Sequence, residues 1–200
     1  MIKNIIFDFG DIFINLDKQA PLSEMAKFGL TQMTPALDHL SKNYEMGLIE
    51  SPVFIKEMQK LFANTSEQQI INAWNSIILD FPEYRLSFIE ALSKEDTYRL
   101  FLLSNTNDLH IQKVKESMGI KRYQRFQNCF ERFYLSHEIK MRKPNADIYE
   151  FVLDENGLNL NETFFIDDTT ENTDGAAALG IQVWNLQVGE QDIIDLKKHL

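Results

Sequence analysis

The sequence predicts an α/β fold of three layers, in which a mainly parallel sheet lies between helices and an α-helical domain is inserted. Short apolar runs without polar alternation are typical of parallel strands that are buried on both faces. Helical patterns separate these runs, and one long stretch after the first run contains helical patterns alone. The chain has 200 residues, which is enough for one such domain with an insertion.

Four apolar runs predict strands, and a shorter run at 133–135 predicts a fifth. The four runs are 2–7, 98–103, 163–166 and 181–184. The first three lead into polar residues, which are Asp8, then Ser104 and its neighbours, then Asp167 and Asp168. Ligands of open α/β sheets bind beyond the carboxyl ends of the strands, so these polar residues are candidate site residues.

Helices are predicted between the later strands. Their ranges are 107–118, 144–156 and 170–179. Gly119, Gly157 and Gly180 follow them directly, and glycine is the usual residue after a helix end. Residues 191–200 predict an amphipathic helix that closes the domain.

The stretch 17–85 predicts a small helical bundle. Thr34-Pro35 and Ser51-Pro52 are capping residues followed by proline, which favours the first turn of a helix. Apolar residues at helical spacing follow, as in the inner faces of a bundle. We therefore assign 17–85 to the inserted domain, and 1–16 together with 86–200 to a Rossmann-like core.

Charge and composition narrow the possible partners. The chain has 20 basic and 30 acidic residues, a net charge of −10. Such a surface repels phosphate backbones and anionic lipids, so we expect neither a nucleic-acid nor a membrane partner. A single cysteine excludes an internal disulfide framework, and Asp8 interrupts the first apolar run too early for a signal peptide. We expect a cytoplasmic protein that is a monomer or a weak homo-oligomer.

The order of the polar motifs resembles that of the haloacid dehalogenase (HAD) superfamily. The motifs are Phe7-Asp8-Phe9-Gly10, Leu103-Ser104-Asn105-Thr106-Asn107, Arg142-Lys143-Pro144 and Ile166-Asp167-Asp168. They extend over nearly the whole chain, and members of that superfamily often carry a helical cap between the first two. With Asn172 four residues after Asp168, the chain is most similar to the branch that contains bacterial α-D-glucose-1-phosphate phosphatases.

The resemblance implies a Mg²⁺-dependent phosphatase that hydrolyses a small phosphorylated metabolite, with a sugar phosphate as the first candidate. Asp8 would be the nucleophile that forms an aspartyl-phosphate. Asp8, Asp168, the backbone carbonyl of Gly10 and, directly or through water, Asp167 would hold the metal. Three adjacent carboxylates repel one another, and Mg²⁺ prefers such oxygen ligands.

The resemblance also implies roles for four polar residues around these carboxylates. The Ser104 hydroxyl and the Asn105 backbone N–H would hold phosphate oxygens. Lys143 would supply positive charge to the phosphate and to Asp8. Asn172 would orient the metal-binding carboxylates.

The chain departs from the usual phosphatase pattern at Gly10, where most members have a second Asp that acts as general acid and base. That function typically contributes roughly 10²–10⁴-fold to the rate. Asp11 and Asp17 are nearby candidates to replace it, and we assign Asp17. The glucose-1-phosphate phosphatase branch resembles this chain in having glycine there.

Two other interpretations stay open at this point. One is a metal-free haloacid dehalogenase, although such a site has no use for two further aspartates. The other is a non-catalytic protein that binds a metal, a phosphate or a partner. In the phosphatase interpretation the cap selects the substrate, and the candidate residues for this are Tyr44, Glu45, Trp74 and Asn75. Trp74 also fits the core of the cap.

Overall fold

The computed structural model describes residues 1–30, 32–62 and 64–200. Five parallel strands form one sheet in the order β3-β2-β1-β4-β5. The strands are β1 (Asn4–Phe7), β2 (Arg99–Ser104), β3 (Arg132–Leu135), β4 (Thr163–Asp167) and β5 (Gln182–Asn185). Each predicted apolar run overlaps one of these strands, and the predicted fold class is confirmed.

Strand β1 lies at the centre of the sheet and pairs with both β2 and β4. Phe7 is aligned with Leu102 of β2 and with Ile166 of β4. The backbone N–H of Asp8 donates to the carbonyl of Ile166 at 2.8 Å. This register places Asp8 and Asp167 side by side at the carboxyl edge of the sheet.

The inserted segment folds into helices α1 (Ala20–Ala26), α2 (Pro35–Glu45), α3 (Ser51–Leu61) and α4 (Glu67–Asn75). Thr34 caps α2 by accepting a hydrogen bond from the backbone N–H of Leu37, and Ser66 forms a capping box with Gln69. The buried faces of these helices share a separate apolar cluster that includes Tyr44.

The remaining helices cover the sheet. They are α5 (Glu83–Lys94), α6 (Asp108–Met118), α7 (Ile120–Gln127), α8 (Ser136–Ile139), α9 (Ala146–Asn156) and α10 (Thr170–Ala178). Helix α5 packs Leu86, Ile89 and Leu92 into the larger core of the α/β domain. The domain boundary predicted at residue 85 therefore falls within one continuous helix.

Both faces of the sheet are buried, which explains why the apolar runs do not alternate. Ile5 and Phe7 of β1 face the larger core beside α5, α6 and α7. Ile6 faces a second core that includes Tyr149 of α9 and Ala176 of α10. The result is the expected arrangement of three layers.

The C-terminal segment differs from its prediction. It forms a 3₁₀ helix over Ile193–Lys198 rather than an amphipathic α-helix. Its buried residues, Ile193 and Leu196, are three positions apart and so share a face at three residues per turn. Over the described ranges, every helix is too short or too polar to cross a lipid bilayer.

Candidate active site

Three aspartates meet at the carboxyl edge of the sheet. Asp8 follows β1, Asp167 is the last residue of β4, and Asp168 comes next. Each offers a carboxylate oxygen, and these three oxygens lie within 4.8 Å of one another. Asp8 is 7% exposed and Asp167 is fully buried. Carboxylates this close repel one another in a buried setting unless cations compensate their charge.

Lys143 supplies one of these cations. Its Nζ is buried and donates hydrogen bonds to Oδ1 of Asp8 and to Oδ2 of Asp167, both at 2.6 Å. A third bond joins it to the carbonyl of Leu103 at 2.8 Å. Burial alone would lower the pKa of Lys143, but the carboxylates of Asp167 and Asp8 raise it above the ordinary value. The side chain is therefore a buried ammonium ion.

The site can still accommodate further positive charge. Burial raises the pKa of Asp8 above its ordinary value, the pull of Lys143 lowers it, and repulsion from Asp167 and Asp168 raises it again. Burial is the largest of these effects, and the net result is a raised pKa. A divalent cation among these oxygens would compensate the repulsion between the carboxylates.

Asp167 is held rigidly from several sides. The backbone N–H of Thr169 donates to Oδ1 of Asp167 at 2.8 Å. The side-chain amide of Asn172, in the first turn of α10, donates to both carboxylate oxygens of Asp167 at 3.1 and 3.0 Å. This contact is of the kind expected for an amide that orients an acidic ligand. The functional role of Asn172 stays a prediction.

Asn105 and Ser104 lie next to this cluster. The side chain of Asn105 donates to the carbonyl of Lys143 at 2.9 Å and accepts from the N–H of Lys143 at 3.0 Å. It therefore fixes the segment that carries the lysine. Ser104 is buried at the end of β2 and borders a cavity of about 100 Å³. That cavity is also lined by Gly10, Leu16, Glu45, Asn105 and Thr106.

The structure shows which side chain fills the space beside Gly10. A Cβ atom at this position would lie 2.7 Å from Cδ1 of Leu16 and 3.8 Å from Oδ2 of Asp8. The first distance is shorter than any ordinary contact, so the Leu16 side chain occupies the space that a side chain at position 10 would need.

Lys18 is a site residue that the sequence reasoning missed. Its Nζ donates to Oδ2 of Asp168 and lies 3.1 Å from Oδ2 of Asp11. The available signal was a lysine next to Asp17 in a strongly acidic chain, close to the predicted start of the insertion. The contact joins residues 150 positions apart, and no local pattern predicts it.

The structure does not bring Asp17 into the cluster by any hydrogen bond among the described residues. Asp17 is exposed, and its Oδ1 accepts from the backbone N–H groups of Gln19 and Ala20 at 3.0 and 3.1 Å. It thus stabilises the turn that leads into α1, whose N-cap is Gln19. Its assignment as general acid stays a prediction.

Of the four cap candidates, Glu45 is the one that borders the small cavity. Its Oε2 accepts from Nε of Arg142 at 2.6 Å, so the cap and the core are joined beside Lys143. Asn75 instead borders a groove of about 510 Å³ between α4 and α6.

The two aromatic candidates belong to the interior of the cap. Tyr44 stacks on Phe54 with ring centroids 4.2 Å apart. Trp74 is buried, and its Nε1 donates to Oδ1 of Asn107 at 3.3 Å. Both rings therefore hold the cap together and join it to α6 and its N-cap.

Comparison with known proteins identifies the family. The model of the haloacid dehalogenase-like hydrolases matches residues 5–186. The chain belongs to this family. The predicted superfamily and the predicted hydrolase class are thereby confirmed.

Relatives of this HAD-like hydrolase include enzymes from Bacteroides thetaiotaomicron. A D-ribitol-5-phosphate phosphatase of that bacterium is 25% identical over 195 residues, which is 94% of each chain. A solved HAD family enzyme from the same bacterium, in complex with magnesium and inorganic phosphate, is 34% identical with a TM-score of 0.80. That alignment covers 96% of this chain and 97% of the relative.

A more distant structure shares the fold alone. The L-2-haloacid dehalogenase of Xanthobacter autotrophicus is 17% identical, with a TM-score of 0.63. The alignment covers 96% of this chain and 80% of the dehalogenase.

Proposed function

We propose that this chain is a Mg²⁺-dependent phosphatase that hydrolyses a small sugar or polyol phosphate through an aspartyl-phosphate on Asp8. The observation that carries the proposal is the position of Asp8. It lies at the end of the central strand, bonded to the buried ammonium of Lys143 and within reach of two further carboxylates. Relatives whose names include a polyol-phosphate phosphatase and a magnesium–phosphate complex support it.

The chemistry of the donor set fits Mg²⁺. All three side chains that converge here offer carboxylate oxygens, the ligand type that hard divalent cations prefer. Asp8, Asp168 and the carbonyl of Gly10 would hold the ion, with Asp167 as a direct or water-mediated ligand. When bound, the ion would supply positive charge to the carboxylates and to the phosphate.

The reaction on this chain would begin with attack of an Asp8 carboxylate oxygen on phosphorus. The bond between phosphorus and the ester oxygen breaks, and the leaving alcohol takes up a proton. Water then hydrolyses the aspartyl-phosphate and releases inorganic phosphate, which regenerates Asp8. Lys143 would favour the ionised form of Asp8 and stabilise the transferred group, while Ser104 and the N–H of Asn105 would hold its oxygens.

The cavity favours a small substrate. Its volume of about 100 Å³ is below the roughly 300 Å³ at which typical ligand pockets begin. The cavity borders Gly10, Ser104 and Asn105 rather than Asp8 itself, and its size admits only a few heavy atoms, so a complete sugar or polyol phosphate needs the cap to shift. The Glu45–Arg142 contact is an ion pair at this boundary that such a shift would stretch.

The two alternatives have less support from the site. A metal-free dehalogenase would have to bind a carboxylate substrate beside three carboxylates, at a high electrostatic cost. The known dehalogenase structure resembles this chain in fold alone. In a non-catalytic protein Lys143 would only compensate the charge of Asp8 and Asp167, so turnover is the property that separates this alternative from a phosphatase.

The first experiment compares hydrolysis of p-nitrophenyl phosphate, α-glucose-1-phosphate and ribitol-5-phosphate, with Mg²⁺ and with EDTA. We expect turnover that needs Mg²⁺ and is lost in Asp8→Asn, while Asp154→Asn, at an exposed position of α9, keeps it. Activity in Asp8→Asn would refute the nucleophile assignment. Mg²⁺ binding without turnover on any substrate would favour the non-catalytic alternative.

The proton donor needs its own test. If Asp17 replaces the missing acid, Asp17→Asn should slow hydrolysis of sugar phosphates more than that of p-nitrophenyl phosphate, whose leaving group needs no proton. Equal slowing of both substrates would contradict the assignment, because the amide oxygen of the new side chain can still accept from the N–H groups of Gln19 and Ala20 and the turn before α1 is kept. The ratio of the two kcat/KM values is the measurement.

A further inference from the structure

Asp168 differs from Asp167 in how its carboxylate is held. Lys143, Thr169 and Asn172 all donate hydrogen bonds to Asp167. Among the described residues, the hydrogen bond to the Asp168 carboxylate comes from Lys18 alone. The side chain of Asp168 is only 6% exposed. A nearly buried carboxylate with a single partner depends on that partner for its orientation.

Lys18 is in turn fixed by its surroundings. Its ammonium lies 3.1 Å from Oδ2 of Asp11, whose other oxygen accepts from the backbone N–H of Leu16 at 3.0 Å. Asp11 has a positive φ of 55°, a conformation that short polar residues tolerate better than most. The turn after β1 thus presents Asp11 as a stable anchor for Lys18.

The balance of charge at this edge also involves Lys18. Four carboxylates, those of Asp8, Asp11, Asp167 and Asp168, face the two lysines 143 and 18. The Lys18 side chain is a cation at neutral pH, as lysines ordinarily are, and it donates to Asp168 and lies beside Asp11. Lys143 binds the carboxylates of Asp8 and Asp167. Lys18 contacts those of Asp11 and Asp168.

We propose that Lys18 is a positioning residue of the metal site, whose ammonium holds the Asp168 carboxylate in the orientation needed to bind Mg²⁺. This inference rests on the proposed function, because it assumes that the aspartate cluster binds the ion. Lys18 acts through Asp168 and does not itself bind the metal. Its location in the segment between β1 and α1 links the start of the cap to the metal site.

The positive charge of Lys18 also has an effect that opposes Mg²⁺ binding. An ammonium next to a metal ligand repels a cation, so its removal would tighten Mg²⁺ binding if repulsion were the dominant effect. Loss of orientation would weaken binding instead. The change in Mg²⁺ affinity on removal of the ammonium therefore distinguishes a positioning residue from a mere counter-charge.

The experiment is calorimetric titration of Mg²⁺ into phosphate-free protein. We expect Lys18→Met to raise the Kd for Mg²⁺ by about tenfold or more, the range found for groups that orient metal ligands. Lys18→Arg, which keeps the charge and can donate, should recover most of the affinity. Lys3→Met is the matched control, since Lys3 also forms a half-exposed ion pair but contacts Glu162.

The Mg²⁺ dependence of hydrolysis provides a second measure of the change in Mg²⁺ affinity. In Lys18→Met the Mg²⁺ concentration for half-maximal hydrolysis of p-nitrophenyl phosphate should rise by the same factor as the Kd. At saturating Mg²⁺ most of kcat should return. A general structural defect would lower kcat without such recovery, and Lys18→Gln serves as a second neutral variant should Lys18→Met fail to fold.

Two outcomes would overturn the proposal. Unchanged or tighter Mg²⁺ binding by Lys18→Met would show that Lys18 does not position Asp168, while the proposed phosphatase function would stand. Absence of Mg²⁺ binding by the unmodified protein would instead overturn the proposed function and this assignment together.

Discussion

Nζ of Lys143 lies 2.6 Å from Oδ1 of Asp8, and both groups are buried at the carboxyl edge of the sheet. The two residues come from segments 135 positions apart. Parallel pairing of β1 with β2 places Leu103 and Asn105 near Asp8, and these two residues hold Lys143 by its Nζ and by its backbone. The fold thus produces a compensated charge pair where the nucleophile is proposed.

Removal of this lysine should cost much stability. Lys143→Met leaves the carboxylates of Asp8 and Asp167 buried without their cation, and loss of one partner of a buried pair typically costs about 3–5 kcal/mol. Urea unfolding at pH 7 measures the free energy. Lys3→Met, which breaks the half-exposed pair with Glu162, should cost less than about 1 kcal/mol. Equal losses in the two variants would contradict the prediction.

The strands of the α/β core could largely be predicted, because a strand that is buried on both faces needs apolar residues at successive positions. Ile5 and Ile6 face opposite cores, so both must be apolar and the run shows no alternation. Strand ends could also be recognised, since a polar residue follows each apolar run that leads to the site. That is why Asp8, Asp167 and Asp168 could be proposed as neighbours from sequence alone.

The contacts that involve the cap could not be predicted in the same way. Lys18 reaches Asp168 only because Asp11 takes a positive φ and turns the chain back towards the sheet. Glu45 meets Arg142 only after the cap has docked on the core. Contacts of this kind depend on the relative placement of elements, which leaves no periodic pattern in the sequence.

Ser136 should contribute to docking of the cap. Its hydroxyl accepts from the N–H of Thr106 at 2.9 Å and lies 2.6 Å from the carbonyl of Glu45 in the cap. Ser136→Ala leaves these groups without that partner. We therefore expect the free energy of unfolding, measured in urea, to fall by about 1–3 kcal/mol. Ser117→Ala removes a hydroxyl that bonds only within α6 and should change stability by less than half as much. A neutral Ser136→Ala would refute this role.

His110 should make stability depend on pH. Burial lowers its pKa from the ordinary 6.5 to about 4. Its Nδ1 accepts from the amide of Asn107, and its Nε2 donates to the carbonyl of Trp74. Between these two pKa values the unfolded chain binds a proton that the folded chain does not. The contribution of His110 to folding stability is therefore complete above pH 6.5 and declines as the pH falls towards 4, by up to about 1.4 kcal/mol per pH unit.

The variant His110→Gln tests this dependence. It should flatten the curve of unfolding free energy against pH between about pH 4 and 6.5. The variant should be less stable than the unmodified protein at high pH, and this difference in free energy should shrink as the pH falls. His39→Gln, at an exposed position of α2, is the control and should keep the original slope. An unchanged slope in His110→Gln would show that His110 is not the group that titrates.

The glycine at position 10 allows a direct test of the missing acid. Gly10→Asp places a carboxyl two residues after Asp8, but its Cβ would lie 2.7 Å from Cδ1 of Leu16. This methyl group is the end of a flexible, half-buried side chain that can turn aside, so the cost should lie near the lower end of the about 1–3 kcal/mol typical of overpacking. The single variant should therefore lose stability, measured by thermal unfolding, and Leu16→Ala should lose some through reduced contact with the core.

The double variant Gly10→Asp with Leu16→Ala should be more stable than the sum of the two losses predicts, because the second substitution creates the space that the first requires. If Leu16 is the steric reason why this chain has no acid at position 10, the double variant should also hydrolyse sugar phosphates faster, within the roughly 10²–10⁴-fold that acid–base catalysis contributes. p-Nitrophenyl phosphate, which needs no acid, should gain little. Additive stability losses would show that the two side chains do not compete for the same space, and an unchanged ratio of the two rates would show that another group already donates the proton.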